Sequence, residues 1–139
     1  MEVQLVKDSM NKNVGVVYVD DTIDLAISKM EQNAFSHLMV EDANTICGII
    51  SKTDILARLK SITYSTGGRS YNEKLLKGMK VWECMTPSPD CVNINDTLEV
   101  AAAAMLETNH NVLPVLDDSG KICGIISTLD LVRSVYKPK

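Results

Sequence analysis

Aromatic side chains are scarce in this chain. Tryptophan, tyrosine and phenylalanine together make up 4% of its 139 residues, whereas hydrophobic residues of all kinds make up 45%. The core must therefore be built mainly from aliphatic side chains. A chain of this length buries roughly two thirds of the surface that it exposes when unfolded, so the composition is typical of an ordinary globular protein.

Basic residues are in the minority. Lysine and arginine number 14 against 18 aspartates and glutamates, which gives a formal net charge of −4. A protein that binds nucleic acid needs a basic face to neutralise the phosphates. We therefore do not expect nucleic acid to be a main partner.

Long apolar segments are also missing. The longest, from Val100 to Leu106, is much shorter than the roughly 20 residues that span a bilayer. The first residues, Met1 to Leu5, do not form a basic stretch followed by a long apolar one, as a secretory signal does. We therefore expect a cytoplasmic protein that does not bind a membrane.

Cysteines with metal-ligand spacing are absent too. The four cysteines form neither a C-x-x-C pair nor a Cys/His grouping of the kind that holds zinc, and Cys47 and Cys123 fall in predicted buried strands. Free thiols are the simplest interpretation. Cys84 and Cys91, which lie where the second half begins, leave open a redox or metal-sensing role.

What the chain does contain is an internal repeat. The hexapeptide Ile-Cys-Gly-Ile-Ile-Ser occupies Ile46–Ser51 and, 76 positions later, Ile122–Ser127. In both copies an aspartate, Asp54 or Asp130, follows the serine by three residues. An apolar run of strand-forming residues that ends in a hydroxyl and is followed by a carboxylate indicates a buried strand that leads directly into a helix.

Each half predicts the same order of elements, β-α-β-β-α. Asp21 and Asp96 are predicted to cap the first helix of each half, and Ile23, Ala26 and Met30 have the spacing of one buried helical face. The predicted strands cover residues 14–19, 37–41, 46–51, 91–94, 112–116 and 122–127. The second helix of each half is predicted over residues 52 to about 61 and 128 to about 135.

The segment between the halves, Ile62 to Tyr71, is polar, contains glycine and lacks periodicity. These features are typical of a loop or linker, although its Gly-Gly-Arg stretch leaves open a lid that closes over a bound phosphate. We predict a first repeat over residues 1–61, a linker over 62–79 and a second repeat over 80–139.

The chain resembles a tandem pair of cystathionine β-synthase (CBS) domains, the unit called a Bateman module. The similarity rests on Gly48–Asp54 and Gly124–Asp130. These match the family's pattern of glycine, an apolar residue, any residue, serine or threonine, any two residues, and aspartate or asparagine. Val81–Pro87 and Leu113–Lys121 are similar to further family segments. The resemblance implies an α/β (α+β) fold in which two β-α-β-β-α repeats, related by a pseudo-twofold axis, pack sheet to sheet and leave two clefts. It also implies a homodimer.

The two strand–helix junctions have a chemistry that suits a nucleotide. A carboxylate in the first turn of a helix can accept hydrogen bonds from ribose hydroxyls, while a serine and free amides donate to a phosphate. The resemblance implies this role for Ser51, Thr53 and Asp54 in one cleft and for Ser127 and Asp130 in the other. The alternative is structural, because Ser-x-x-Asp is also a capping box that would simply start two helices.

Three further residues are predicted to bind the ligand. His37 stands where family members that bind nucleotides place a basic residue against the phosphate, Thr86 stands where they contact ribose or base, and Asn111 precedes a strand. Each has a structural alternative: a histidine bonded to its strand neighbours, a cap before Pro87 and a turn residue. The counterparts in the other half differ in chemistry, so we expect unequal clefts: Val112, Asn11 and Ser36.

Two arginines follow the junction aspartates closely. Arg58 lies four residues after Asp54 and Arg133 lies three residues after Asp130, which is near enough on a helix for pairing. An exposed ion pair would contribute little to stability, whereas contact with a phosphate would contribute to binding. The sequence leaves both roles open.

These observations predict a regulatory protein rather than an enzyme. Ser51, His37 and Asp54 do not form a catalytic triad, because the serine and the aspartate belong to one helix start. We expect the clefts to bind AMP, ADP or ATP, or else S-adenosylmethionine or a related adenosyl compound. Ligand binding would shift the population of conformations of a dimer that acts on a protein partner in trans. The alternative is a scaffold without ligand that serves dimerisation or docking.

Overall fold

The computed structural model describes residues 3–66 and 76–136. Its elements, in chain order, are α1 (Val6–Ser9), β1 (Gly15–Tyr18), α2 (Ile23–Asn33), β2 (His37–Asp42), β3 (Thr45–Ser51), α3 (Lys52–Thr66), a 3-10 helix (Val81–Glu83), β4 (Thr86–Pro87), β5 (Val92–Asn93), α4 (Leu98–Thr108), β6 (Val112–Leu116), β7 (Ile122–Ser127) and α5 (Thr128–Val135). Both halves therefore show the predicted order of elements, and the predicted mixed α and β fold is confirmed.

The chain forms two compact units, which we name by the repeat whose sheet each contains. The first-repeat unit is Gly15–Ser88, and the second-repeat unit combines Met1–Val14 with Pro89–Lys139. Within the described residues, the first-repeat unit has a sheet of order β1-β2-β3-β4 and the second-repeat unit has one of order β5-β6-β7. In each sheet the first two strands are parallel and the next pair is antiparallel.

The core of each unit is aliphatic, as the scarcity of aromatics predicts. The buried face of α2 consists of Ile23, Ala26 and Met30, in agreement with the predicted spacing. In the first-repeat unit the buried cluster is Val17, Ile23, Ala26, Met30, Leu38, Val40, Ile50, Ile55, Met79 and Val81. In the second-repeat unit it is Val6, Val92, Leu98, Ala101, Met105, Leu113, Val115 and Ile126.

The caps of α2 and α4 lie one residue later than predicted. The N-cap residues are Thr22 and Thr97, not Asp21 and Asp96. The two aspartates instead accept the backbone N–H of Tyr18 and Asn93, at 2.9 and 2.8 Å. They thus close the turn that joins the preceding strand to the helix, a bond that a short acidic side chain makes readily.

Helix α3 is longer than predicted. It runs from Lys52 to Thr66, so the prediction that a loop begins at Ile62 is wrong for 62–66. The physical reason is that this stretch contains no proline or glycine; the first glycines after Ser51 are Gly67 and Gly68, and only such residues strongly disfavour helix continuation. The rest of the predicted loop, with the Gly-Gly-Arg stretch proposed as a lid, lies outside the described residues.

The segment at the start of each repeat pairs with a strand of the other repeat. Thr86 and Pro87 pair with Ile49 and Gly48 as strand β4. In the second-repeat unit, Asn11 pairs with Ile125 through two backbone hydrogen bonds of 2.8 and 3.0 Å. We call residues 3–14 and 79–88 the leading segments.

Glycine in the repeated hexapeptide permits this close approach. A Cβ on Gly48 would collide with Met85 and lie 3.2 Å from the carbonyl oxygen of Thr86. A Cβ on Gly124 would lie 2.9 Å from the carbonyl oxygen of Asn11. The repeated glycine therefore leaves room for a leading segment at the edge of each sheet.

No helix within the described ranges is long and apolar enough to cross a membrane.

Candidate functional site

The first junction is the point at which β3 passes into α3, between Ser51 and Asp54. The buried Ser51 and the half-buried Asp54 bond each other reciprocally. The hydroxyl oxygen of Ser51 accepts the Asp54 N–H at 3.1 Å, and Asp54 Oδ2 accepts the Ser51 N–H at 2.9 Å. The capping interpretation is thus confirmed for this pair. The cap engages only one oxygen of the Asp54 carboxylate, since Oδ1 accepts no hydrogen bond within the described part of the chain.

The second junction, between β7 and α5, has the same reciprocal cap. Ser127 Oγ accepts the Asp130 N–H at 3.2 Å, and Asp130 Oδ2 accepts the Ser127 N–H at 2.8 Å. In addition, the Ser127 hydroxyl donates to Asp130 Oδ2 at 3.0 Å. Asp130 Oδ1 pairs with Nη1 of Arg133 at 3.4 Å, so the ion pair that the spacing of these two residues permits is confirmed.

Helix starts of this kind can bind an anion. The first N–H groups of an α-helix have no intrahelical acceptor, and the capping serine satisfies only one of them. Together with the positive end of the helix dipole, the remaining amides suit a phosphate. At the second junction one of these amides, that of Thr128, already donates to the carbonyl oxygen of Asn111 at 2.9 Å.

The register of the first-repeat sheet gathers further predicted residues around the first junction. His37 lies directly opposite Ser51 on β2, and Thr86 lies opposite Ile49 on β4. Because directly opposed residues and alternate residues along a strand share a face, His37, Ser51 and Thr86 project from the same face of the sheet. Thr53 is exposed on the first turn of α3.

His37 is not a simple cation. Burial lowers the pKa of its imidazole, and the nearby Asp54 carboxylate only partly opposes that effect. Its Nδ1 lies 2.9 Å from the hydroxyl of Ser36, as the structural alternative predicted. The ring is therefore mainly neutral near neutral pH, and it offers hydrogen bonds rather than a fixed positive charge.

An open depression of about 410 Å³ adjoins the second junction. Asn111 and Ser127 line it, and sequence reasoning predicted both; their role as ligand contacts stays a prediction. The remaining lining residues are Val112, Thr128, Leu129 and Val132. Sequence reasoning did not assign these four to the site, although Val112 had been singled out as the apolar counterpart of His37. Asp130, which caps the same helix, is not one of the lining residues, and its side chain is 14% exposed.

The predicted site residues thus fall into two groups, one in each unit. His37, Ser51, Thr53, Asp54 and Thr86 belong to the first-repeat unit, while Asn111, Ser127 and Asp130 belong to the second-repeat unit. The counterpart of Thr86 is Asn11, whose side chain accepts the Asn13 N–H at 2.9 Å. The two groups therefore differ in composition, as the sequence predicts.

The cysteines have little nucleophilic character. Burial raises the pKa of all four thiols: Cys47, Cys84, Cys91 and Cys123. A raised pKa leaves less thiolate, the reactive form. Cys84 Sγ lies 3.3 Å from the sulfur of Met79, and no group of three or more His, Cys, Asp or Glu side chains suited to a metal occurs among the described residues. Within residues 3–66 and 76–136, the surroundings of the cysteines favour neither a thiol sensor nor a metal sensor.

Comparison with known proteins identifies relatives that share both repeats. The chain is 33% identical to CBSX2, a chloroplastic CBS domain-containing protein of Arabidopsis thaliana, over 92% of this chain and 61% of that protein. It is 29% identical to homoserine O-acetyltransferase of Methanococcus vannielii, over 95% of this chain but only 25% of the relative. The chain therefore spans less than two thirds of the length of these two relatives.

Solved structures of similar proteins also cover both repeats. The crystal structure of CBSX2 in complex with AMP superposes with a TM-score of 0.71 at 32% identity, covering 95% of this chain and 96% of that one. The CBS domain pair of protein MJ0100, solved with 5′-methylthioadenosine and S-adenosyl-L-methionine, shares the fold with a TM-score of 0.74 at 21% identity, covering 96% and 97%.

The family signature matches twice, at 6–61 and at 81–137, in the same two places as the internal repeat. With two tandem copies, this chain belongs to the CBS domain family.

Proposed function

We propose that this chain is a regulatory, non-catalytic module that binds an adenosyl ligand at its strand–helix junctions, with AMP as the first candidate. The observation that carries the proposal is the first junction itself, where Asp54 Oδ1 is free of hydrogen bonds from the described residues beside a helix N-terminus. Support comes from CBSX2, a relative of 32% identity over almost the whole chain whose structure is a complex with AMP.

At the first junction, Asp54 and the start of α3 would divide the ligand between them. The free carboxylate oxygen accepts hydrogen bonds from the ribose hydroxyls, and such charge-assisted bonds are stronger than neutral ones. The amides of the first turn and the hydroxyl of Thr53 donate to the phosphate. His37 and Thr86, which share a face with Ser51, complete the polar surround.

At the second junction, the depression beside Ser127 offers a different surface. Asn111 and Thr128 supply polar groups, whereas Val112, Leu129 and Val132 form an apolar wall. A flat, largely apolar adenine base suits such a wall. The second junction therefore has less polar chemistry for a phosphate and more apolar surface for a base.

The class of ligand extends beyond AMP in this proposal. ADP, ATP and S-adenosylmethionine share the adenosine group that the junctions would recognise. MJ0100, which shares the fold, was solved with two adenosyl compounds. The phosphate chain or the sulfonium group would then decide the preference among these ligands.

Regulation would follow from a population shift. A ligand changes a conformational equilibrium only by as much as its affinity differs between the two conformations. We propose that the occupied protein, as a homodimer in the cytoplasm, presents a different surface to a protein partner in trans.

A scaffold without ligand is the second candidate, and a specific observation favours it. In each Ser–Asp pair, the serine and the aspartate hydrogen-bond to one another. Helix capping alone therefore explains both junctions. In that case the junctions would serve only the fold, and the chain would act by docking or dimerisation.

Calorimetric titration with AMP, ADP, ATP and S-adenosylmethionine separates the two candidates. The proposal expects saturable binding of at least one of them, and competition by adenosine because the shared group is recognised. Absence of a heat signal and of a thermal shift with all four at millimolar concentration would leave the scaffold as the better explanation.

A further inference from the structure

The two junction aspartates do not have the same free acceptor capacity. Asp130 Oδ2 faces both the N–H and the hydroxyl of Ser127, at 2.8 and 3.0 Å, and its Oδ1 pairs with Arg133 at 3.4 Å. At Asp54, only Oδ2 accepts a hydrogen bond from the described residues, that of the Ser51 N–H at 2.9 Å. Both oxygens are therefore engaged at the second junction and one at the first.

The sequences of α3 and α5 differ in where their arginines follow the aspartate. The position equivalent to Arg133, 76 residues earlier, is Ala57. Arg58 lies one residue further along α3, at a spacing that also permits pairing with Asp54. Yet among the described residues the structure forms an ion pair at Asp130 and none at Asp54. The Arg58 guanidinium is near Cys84, where it partly opposes the rise in the pKa of that thiol that burial causes.

We infer that Arg133 is a specificity-determining residue, which makes the second junction the weaker site for a ribose by competing with its hydroxyls for Asp130 Oδ1. This inference rests on the proposed function. A ribose that binds at Asp130 must displace the guanidinium, whereas at Asp54 Oδ1 no described group has to move.

The expected size of the effect follows from the exposure of the pair. The Arg133 side chain is 72% exposed and that of Asp130 is 14% exposed. Ion pairs with one partner in solvent are weak, so removal of Arg133 should tighten ribose binding at this junction by a factor of about two to about five. The two junctions of the natural chain should accordingly fill at different ligand concentrations.

A neutral ligand isolates this competition from any contact between Arg133 and a phosphate. Adenosine and 5′-methylthioadenosine carry the ribose hydroxyls without a phosphate. We would titrate both into Asp54→Ala, in which the first junction has lost its acceptor, and into the same chain with Arg133→Ala. Arg58→Ala in the Asp54→Ala background is the matched control, because it removes an arginine of similar position without an ion pair to an aspartate. Thermal melts verify that all variants are folded.

Salt provides an independent readout. Raising the ionic strength from about 0.01 M to about 1 M shortens the Debye length from about 30 Å to about 3 Å, which weakens the exposed ion pair. Binding of neutral adenosine to Asp54→Ala should therefore tighten more with salt than binding to the variant that also lacks Arg133.

The outcomes distinguish the inference from the function. Tighter adenosine binding on removal of Arg133, with no change on removal of Arg58, supports the inference. Unchanged or weaker adenosine binding without Arg133, while AMP still binds the natural chain, overturns the inference and leaves the proposed function in place. If adenosine, AMP, ADP, ATP and S-adenosylmethionine all fail to bind the natural chain and every variant, the proposed function fails and the inference fails with it.

Discussion

At the scale of single residues, the proposed function gives Asp54 two tasks that use different atoms. Oδ2 caps the helix by accepting the Ser51 N–H, and Oδ1 would bind the ligand. A cap requires an acceptor but not a negative charge, whereas recognition of ribose hydroxyls gains from the charge. The two tasks can therefore be separated by substitution.

Asp54→Asn is expected to keep the helix cap and to weaken ligand binding. The amide retains an oxygen that can accept the Ser51 N–H, so the melting temperature should change little. Replacing charge-assisted bonds by neutral ones should raise the Kd for AMP by about tenfold. Calorimetry and thermal melts measure the two effects. Asp54→Ala, which loses the cap as well, is the control and should also be destabilised by about 1 kcal/mol. An asparagine variant with natural affinity would show that Asp54 serves only as a cap.

His37 should make stability depend on pH. Burial, opposed in part by Asp54, lowers the pKa of its imidazole, so the folded state binds fewer protons than the unfolded state below the unfolded pKa of about 6.5. The contribution is therefore present above that pH and is lost as the pH falls through the window between the unfolded and folded pKa values. Urea unfolding at about pH 7.5 and about pH 5.5 should show a larger loss for the natural chain than for His37→Gln. Equal losses would contradict a buried, neutral histidine.

At the scale of secondary-structure elements, the repeated glycine matters more than its single missing side chain suggests. Strand β3 and strand β7 each carry it where a leading segment crosses the edge of the sheet. At both glycines the atom nearest to an added Cβ would be a methionine sulfur, that of Met10 at 2.8 Å or of Met85 at 2.4 Å, but the nearest backbone oxygen would be closer at Gly124 (2.9 Å) than at Gly48 (3.2 Å). A backbone atom yields less easily than the end of a side chain.

Gly124→Ala should thus destabilise the protein by about 1 to about 3 kcal/mol through overpacking, and Gly48→Ala should cost less. Gly78→Ala is the matched control, because a methyl group on the helical Gly78 would have nothing within 4 Å of it and alanine is the better helix former. Denaturant unfolding measures all three. A Gly124→Ala variant as stable as the control would contradict the close approach of Asn11 to β7.

At the scale of the whole molecule, each compact unit is assembled from segments that are distant in sequence. Val6, in the leading segment of the first repeat, is fully buried in the cluster that contains Leu98, Leu113 and Ile126. Met79 and Val81, in the leading segment of the second repeat, are buried with residues of the first repeat. The leading segment of the first repeat thus completes the core of the second-repeat unit. The leading segment of the second repeat completes the core of the first-repeat unit.

Val6→Ala tests this exchange. Truncating a fully buried valine should cost about 1 to about 3 kcal/mol, and the loss should be felt where its contacts lie. Hydrogen exchange is expected to accelerate in β6, β7 and α4 of the second-repeat unit. Leu25→Ala, on the exposed face of α2, is the control and should leave these amides unchanged. Acceleration confined to β1–β3 would instead place the first residues with the first repeat.

The sequence by itself determined the features that depend on neighbours along the chain. The repeat, the aliphatic core and the buried face of α2 follow from local patterns, and Ser51–Asp54 and Ser127–Asp130 follow from one short motif that both repeats carry. The errors in predicted helix boundaries also have local causes. Asp21 and Asp96 each stand next to a threonine that can serve equally as the N-cap. Helix α3 continues past Ser61 because no strong helix breaker stops it.

The tertiary structure decided which distant segments meet. Pairing of Thr86 with Ile49 and of Asn11 with Ile125 joins residues far apart in the chain, and no periodicity encodes such pairing. It likewise decided that Arg133 pairs with its aspartate while Arg58 does not, because spacings of three and four residues both allow contact on a helix. Local physics therefore supplied two junctions with the same cap and different neighbouring residues, and the tertiary structure decided which groups surround each of them.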